Sequence, residues 1–261
     1  MESDSFSFVP QEFRKGINKA FEVGRTMIRE ARTVIEPEAE IATVARTVEE
    51  YRWAWRPSIV RTVLIAESHV YTNVVEAGLS IGDVPSLKAQ RVRPRTYVRF
   101  VYCLGYGESS LVINPNLLAS PNGGTPHYWS LFARLAGMTP MSTRFAEVRA
   151  TERIRTKIEI LERLKDRGIW LLDASVHAIY CPGGFRRSTG ICEKLHKSWL
   201  AYYGQPLLNS LEARHVCVVG KALFGTLQRL GLRAHGWIYQ PHVKIHPELH
   251  QRQLNGLLSR L

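Results

Sequence analysis

The sequence predicts an α/β fold, a three-layer α/β/α sandwich around a mainly parallel four-stranded sheet, with a helical extension ahead of it. Three observations carry this. Buried-strand signatures recur in "RTVLIAESHVY", "GIWLLDASV", "HVCVVG" and "GWIYQPH"; helix-periodic segments separate most of them; and each signature runs into polar residues or glycine. Strands joined through helices run parallel, because the chain must cross back before it can repeat a direction.

The elements follow in order. From residue 11 to about 50, Phe13, Ile17 and Phe21, then Ile41, Val44 and Val48, keep helical spacing, with Pro37 breaking the run. Residues 1–56 therefore read as an N-terminal helical extension of a single domain spanning 1–261. Val63, Leu64 and Ile65 form the first strand, which ends at Glu67, Ser68 and His69. Residues 85–127, rich in Arg, Gly, Pro and Asn, suggest a long and partly irregular excursion with one strand-like piece, "TYVRFVYCLGYG". "TPHYWSLFARLAG" predicts a short helix. Residues 151–167 predict a longer one, with Ile154, Ile158, Leu161 and Leu164 on one face and Gly168 as its stop. The strand "GIWLLD" follows at once, then the strand "HVCVVG", a helix opening on Gly220, and a last strand halted by Pro241.

Composition narrows the class. The chain is 45% hydrophobic and 22% charged, and it has no apolar run of the roughly 18 residues that a membrane span needs. No basic stretch followed by an apolar segment opens the chain, so the cytoplasm is the expected location. Cys103, Cys181, Cys192 and Cys217 show no C-x-x-C pairing, which argues against a zinc or iron-sulfur framework, and no phosphate-binding glycine loop is present. No cofactor is expected. Thirty-five Lys and Arg against 23 Asp and Glu give a net charge of +12, which suits a polyanionic partner such as nucleic acid and equally a solvated basic surface. A monomer is the default.

Function is expected at the carboxyl ends of the strands, where parallel sheets bind ligands. Glu67 to His69, Asp173 to His177, Gly220 with Lys221, and Gln240 to His242 all fall there. Asp173 stands out, since a carboxylate among Leu171, Leu172, Ala174 and Val176 carries a desolvation cost that a site role would explain; hydrogen bonds or an Arg partner would explain it too. His242, His246 and His250 recur at intervals of four, but Pro247 interrupts them and no acidic ligand joins them, so no metal site is expected.

"VLIAESHVY", "GIWLLDASV", "VCVVGKALFGTL" and "IYQPHV", in this order and spacing, resemble the uracil-DNA glycosylase superfamily. The resemblance spans roughly residues 57–245 and is weak over 85–150. It implies a base-excision-repair enzyme acting on DNA, monofunctional, that flips a uracil or another modified base into a pocket and hydrolyses its N-glycosyl bond. The motif residues depart from the family pattern. Ser68 stands where the family places its water-activating Asp, Asp173 replaces the base-reading Asn, and Gln240 stands in the register of a His, with His242 close by.

Base removal passes through a cationic sugar and an anionic base, so a carboxylate is needed on the sugar side and donors on the base side. Asp173 is the favoured carboxylate and Glu67 the other candidate, with His242 as donor to the base. Ser68, His69, Tyr71, Phe100, Tyr102 and Gln240 are the candidate base-binding residues, Phe100 or Tyr102 supplying the stacking ring. Arg186, Arg187, Lys194, Lys197, Lys221 and Lys244 are the candidate DNA contacts. An ionised Asp173 only accepts hydrogen bonds and repels uracil O4, so either burial keeps the acid protonated or it turns toward water and sugar while another group reads the base; tolerance for other deaminated bases is expected. Two rivals remain: a binding member of the same fold that is inactive or retains its product, and a hydrolase built from Ser68, Asp173 and His242.

Overall fold

The computed structural model describes residues 7–31, 39–82, 84, 87, 94–108, 125–140, 150–181, 185–241 and 247–259. Four parallel strands form one sheet in the order β2-β1-β3-β4: β1 Thr62–Ala66, β2 Ile169–Asp173, β3 His215–Val219 and β4 Gly236–Ile238. In register, Thr62 lies between Ile169 and His215, and Ala66 faces Asp173. β1 and β2 are buried along their whole length, which explains why they read as continuous apolar runs rather than alternating ones.

Helices flank this sheet. α1 (Gln11–Glu30) and α2 (Ala42–Ala54) precede β1. The short α3 (Val74–Ala77), α4 (Pro126–Leu135) and α5 (Ala150–Asp166) lie between β1 and β2. α6 (Thr189–Trp199) continues through a π-helical turn at Leu200–Gly204 into α7 (Gln205–Ser210). α8 (Lys221–Arg229) links β3 to β4, and α9 (Pro247–Leu258) follows. α3, α6, α7 and α9 go beyond the helices that the sequence pattern singles out. Pro247 opens α9 instead of interrupting a helix, because the first helical turn needs no N–H from that residue.

Gly168 ends α5 with φ of 71°, a conformation in which a side chain would be strained, and its carbonyl accepts from the N–H groups of Arg61 and Thr62. That pair of bonds fixes the starts of β1 and β2 side by side. The expected strand in "TYVRFVYCLGYG" does not form. Tyr97 to Gly105 are buried almost without a break, and the segment winds through turns closed by Cys103 N–H to the Phe100 carbonyl and Tyr106 N–H to the Cys103 carbonyl. Its aromatic rings fill the core instead of a pleat, with Tyr102 against Phe132 of α4.

β2 is an edge strand, and its outer backbone is satisfied by side chains. Leu171 N–H donates to the Tyr102 hydroxyl at 3.0 Å, and Arg52 Nη1 donates to the Leu171 carbonyl at 3.2 Å. Trp170 Nε1–H donates to the Arg52 carbonyl at 2.9 Å while its ring meets Trp53 edge-on, so α2 is bolted to β2.

α1 docks through the loop after β2. Phe21 stacks on His177 with centroids 4.4 Å apart, and His177 Nε2–H donates to the Phe21 carbonyl. Burial first of all pulls the His177 pKa down to about 4, so the ring is neutral at pH 7. Gly24 permits this approach, since a Cβ there would lie 2.5 Å from His177 Cδ2. Alanine favours a free helix over glycine by about 1 kcal/mol, whereas overpacking costs roughly 1–3 kcal/mol, so the clash wins. Gly24→Ala is expected to lower the Tm. Gly190→Ala, on an open face of α6, should leave it equal or higher; a thermal melt that ranked the two variants the other way would contradict the close packing.

Candidate functional site at the carboxyl edge of the sheet

Asp173 ends β2 and is held by charge. Arg52 Nη2 donates to its Oδ2 at 2.9 Å, and both side chains are buried. Arg52 also donates through Nε to Glu49 at 3.1 Å, and Glu49 accepts from the Tyr203 hydroxyl at 3.0 Å. On the other side, His69 Nδ1 lies 3.7 Å from Asp173 Oδ2, beyond hydrogen-bond length but within reach of charge attraction. His69 Nε2–H donates to Glu40 at 2.8 Å, and Glu40 accepts further from the N–H groups of Thr72 and Ala178. Four buried groups thus alternate in sign from Glu40 to Arg52, and Glu49, whose carboxyl is pushed above its ordinary value by burial first of all, closes the series.

Burial alone would raise the Asp173 pKa, but the Arg52 charge and the neighbouring His69 ring outweigh it and hold the carboxyl below its ordinary value. Burial opposes charge on His69 as well, yet Glu40 and Asp173 lift its pKa to about 9. Asp173 is therefore ionised, and it survives in an apolar strand because Arg52 is inside with it.

The space beside Asp173 is small. A cavity of about 40 Å³ is bordered by Ser68, His69, Phe100, Tyr128 and Asp173. A water needs roughly 10–15 Å³, and pockets for small molecules run to about 300 Å³ or more, so this cavity has the size of a few waters. Phe100 borders it, edge-on to Tyr102 and under the Arg52 guanidinium at 4.8 Å. Tyr102 is committed to β2. The Ser68 hydroxyl donates to the His69 carbonyl and accepts from Ile179 N–H.

A larger cleft, about 630 Å³, opens on the other side of the β1 terminus. The chain leaves β1 for β2 on one side and later returns to β3 on the other, so the crossovers diverge between β1 and β3, where open parallel sheets bind ligands. Glu67, Arg186, His196, Lys221 and Gln240 line this cleft. Glu67 accepts from the Tyr180 hydroxyl at 2.8 Å and from Arg186 Nη2. Burial, and then the Glu67 charge, push the Tyr180 pKa up to about 12.

His196 Nδ1–H donates to the Ala174 carbonyl at 2.8 Å, and burial holds the ring's pKa below its usual value. The neutral ring leaves its Nε2 lone pair 4.0 Å from Glu67 Oε1. Gly220, with φ of 114°, lets Gln240 lie across the β3 end, since a Cβ there would come within 3.2 Å of the amide.

The remaining sequence candidates are dispersed. Tyr71 is half-buried, its backbone N–H bonded to the Tyr180 carbonyl, and it borders neither space. Arg187 is 3% exposed and donates through Nε to the Ala178 carbonyl; a residue folded inward in this way presents no surface to a phosphate, which corrects its expected DNA role. Lys194 and Lys197 are exposed on α6 outside the cleft lining. His242 and Lys244 lie outside the described residues.

Sequence reasoning missed Arg52 and His196. Arg52 continues the Val44, Val48 spacing of buried positions in α2, and that was its signal. His196 follows Cys192 by one helical turn in α6, a helix the pattern did not single out. Compared with known proteins, the chain matches no family model and no curated protein. Among the described residues no helix is long and apolar enough to cross a membrane, and none of the four cysteines, all buried, forms a disulfide.

Two outcomes follow for the buried chain of charges. Because the folded pKa of His69 is raised, its stabilisation is complete below its ordinary value near 6.5 and is lost as pH rises through about 9. The Tm should fall over that interval, and His69→Gln should flatten the fall. Arg52→Met leaves Asp173 buried without its cation, at an expected cost of roughly 3–5 kcal/mol. Adding Asp173→Asn should recover part of that loss in chemical denaturation; strict additivity of the two changes would deny the pair.

Proposed function

We propose that this protein is a monofunctional DNA glycosylase that hydrolyses the N-glycosyl bond of uracil and of other deaminated or modified bases, the activity its resemblance to the uracil-DNA glycosylase superfamily implies. The observation that carries this reading is the Glu67 carboxylate beside neutral His196, in a cleft of about 630 Å³ at the sheet's switch point. Lys221 and Gln240 supply donors on the same walls, and the chain's charge of +12 suits a polyanion.

Within this reading a flipped nucleotide enters the cleft, and Glu67 faces the sugar. As the bond from C1′ to the base breaks, the base leaves with the electron pair and the sugar becomes cationic. Glu67 steadies that cation and orients a water, which adds to C1′ and gives up its proton to Glu67 or to His196 Nε2. Gln240 and Lys221 donate to the departing base. Asp173, favoured from sequence for the water, is neutralised by Arg52 and beside a cavity too small for a base, so the role passes to Glu67. The Ser68 hydroxyl is turned to a carbonyl, which does not favour a serine nucleophile.

A second reading, binding without base release, is favoured by one observation: Tyr180 and Arg186 each donate to one oxygen of Glu67, and a carboxylate held at both oxygens is less free to take up a water. One assay separates the two. Purified protein is incubated with single- and double-stranded oligonucleotides containing uracil, hypoxanthine or xanthine, and abasic sites are then cleaved with alkali. Alkali-dependent cleavage is expected, with uracil less than about 10⁴-fold ahead of the other bases. Glu67→Gln should lower the rate by about 100-fold or more, while Asp173→Asn, if folded by circular dichroism, should stay within about tenfold of wild type. Shifted DNA with no base release would instead establish the binding reading.

A further inference from the structure

A second groove lies at the opposite, amino edge of the sheet. Its volume is about 620 Å³, and it runs between the segment ahead of α1, the end of α2 and the α5–β2 turn. Arg56, Arg61 and Lys165 line it with a single carboxylate, Asp166. Among the described residues none of the three cations has an ion-pair partner. An uncompensated cluster of this kind repels itself, and an anion would relieve it.

Arg56 is the most telling member. Its guanidinium carbon sits 5.4 Å from the Trp53 ring centre and 5.6 Å from that of Trp170, so two aromatic rings hold the cation in place. Its Nε is buried and meets no acceptor among the described residues, and Nη1 reaches only the Pro57 carbonyl at 3.4 Å. The side chain is half-buried and lines the groove, so its Nη groups, not Nε, are the donors open to a ligand oxygen. Burial also pulls the Arg56 pKa below the usual guanidinium value, a penalty that a bound anion offsets. Lys165 stands 5.8 Å over the Trp55 ring.

We infer that this groove is a second nucleic-acid contact, in which Arg56, Arg61 and Lys165 hold phosphodiester groups of a strand. The planar guanidinium fork matches phosphate oxygens, and Phe8, 39% exposed, and Ile59, 65% exposed, give the sugars and bases an apolar surface on the rim. This inference does not rest on base excision. It concerns strands with no damaged base, and it lies across the sheet from Glu67.

The test is fluorescence anisotropy of the full chain with a labelled single-stranded oligonucleotide of unmodified bases, over a range of salt. Arg61→Gln with Lys165→Gln, both on the surface side of the groove, should weaken binding about tenfold and reduce the slope of log K against log salt by roughly 1.4, the loss of two contacts. Arg61→Lys with Lys165→Arg should keep the slope. Unchanged affinity and slope in the glutamine variant would overturn the assignment. So would inorganic phosphate that displaces the oligonucleotide at equal phosphate concentration, which would make the groove a free-phosphate site. Uracil release, measured in parallel on the glutamine variant, reads the carboxyl-edge cleft separately, so either conclusion can fail alone.

Discussion

The ion pair between Arg52 and Asp173 is the constraint around which the carboxyl edge of this sheet is organised. Removing both charges from water is costly, and the pair persists because its remaining hydrogen-bonding capacity is used: Arg52 also reaches Glu49 and the Leu171 carbonyl. The same guanidinium therefore neutralises the strand's acid, satisfies the outer backbone of an edge strand, and ties α2 to β2. His69 and Glu40 extend the alternation of charge into the loop after β1. The strand ends are consequently fixed by electrostatics as much as by apolar packing.

That fixation divides the chemistry at the β1 terminus. Ala66 and Ser68 face the small cavity beside Asp173, whereas Glu67 between them faces the large cleft. Successive residues of an extended chain point to opposite sides, so one peptide segment supplies both walls. The carboxylate with Arg52 as its partner is structural in character. Glu67, held by Arg186 and Tyr180 and with a neutral imidazole at 4.0 Å, is the carboxylate that faces the larger space. It sits at the point where the crossovers diverge, between the β1 and β3 ends.

The excess positive charge is not spread evenly in its consequences. Arg153 and Lys157 are buried around Glu108, and Arg187 is folded against backbone, so these cations serve the interior. Arg186 and Lys221 at one edge, with Arg56, Arg61 and Lys165 at the other, remain at open surfaces. A formal count of +12 treats all of them alike. Only the folded chain separates charges that are neutralised inside from those that can meet a partner.

The parallel α/β sheet, its four strands and the segments that form its carboxyl edge are legible in the chain alone, because unbroken apolar runs, helical periodicity and a stop such as Gly168 are local properties. The sequence also singled out Asp173, since a charge inside an apolar run is conspicuous without any coordinates. What held that charge was decided only by tertiary structure: Arg52 lies 121 residues away and belongs to a different element. The turns of 97–108 are of the same kind, with aromatic residues that favour a strand locally drawn into the core by α4. Likewise His196 gains its meaning from the Ala174 carbonyl and Glu67, both distant in sequence. Burial partners of this sort leave no periodic trace, because periodicity records which face of an element is covered and not which residue covers it.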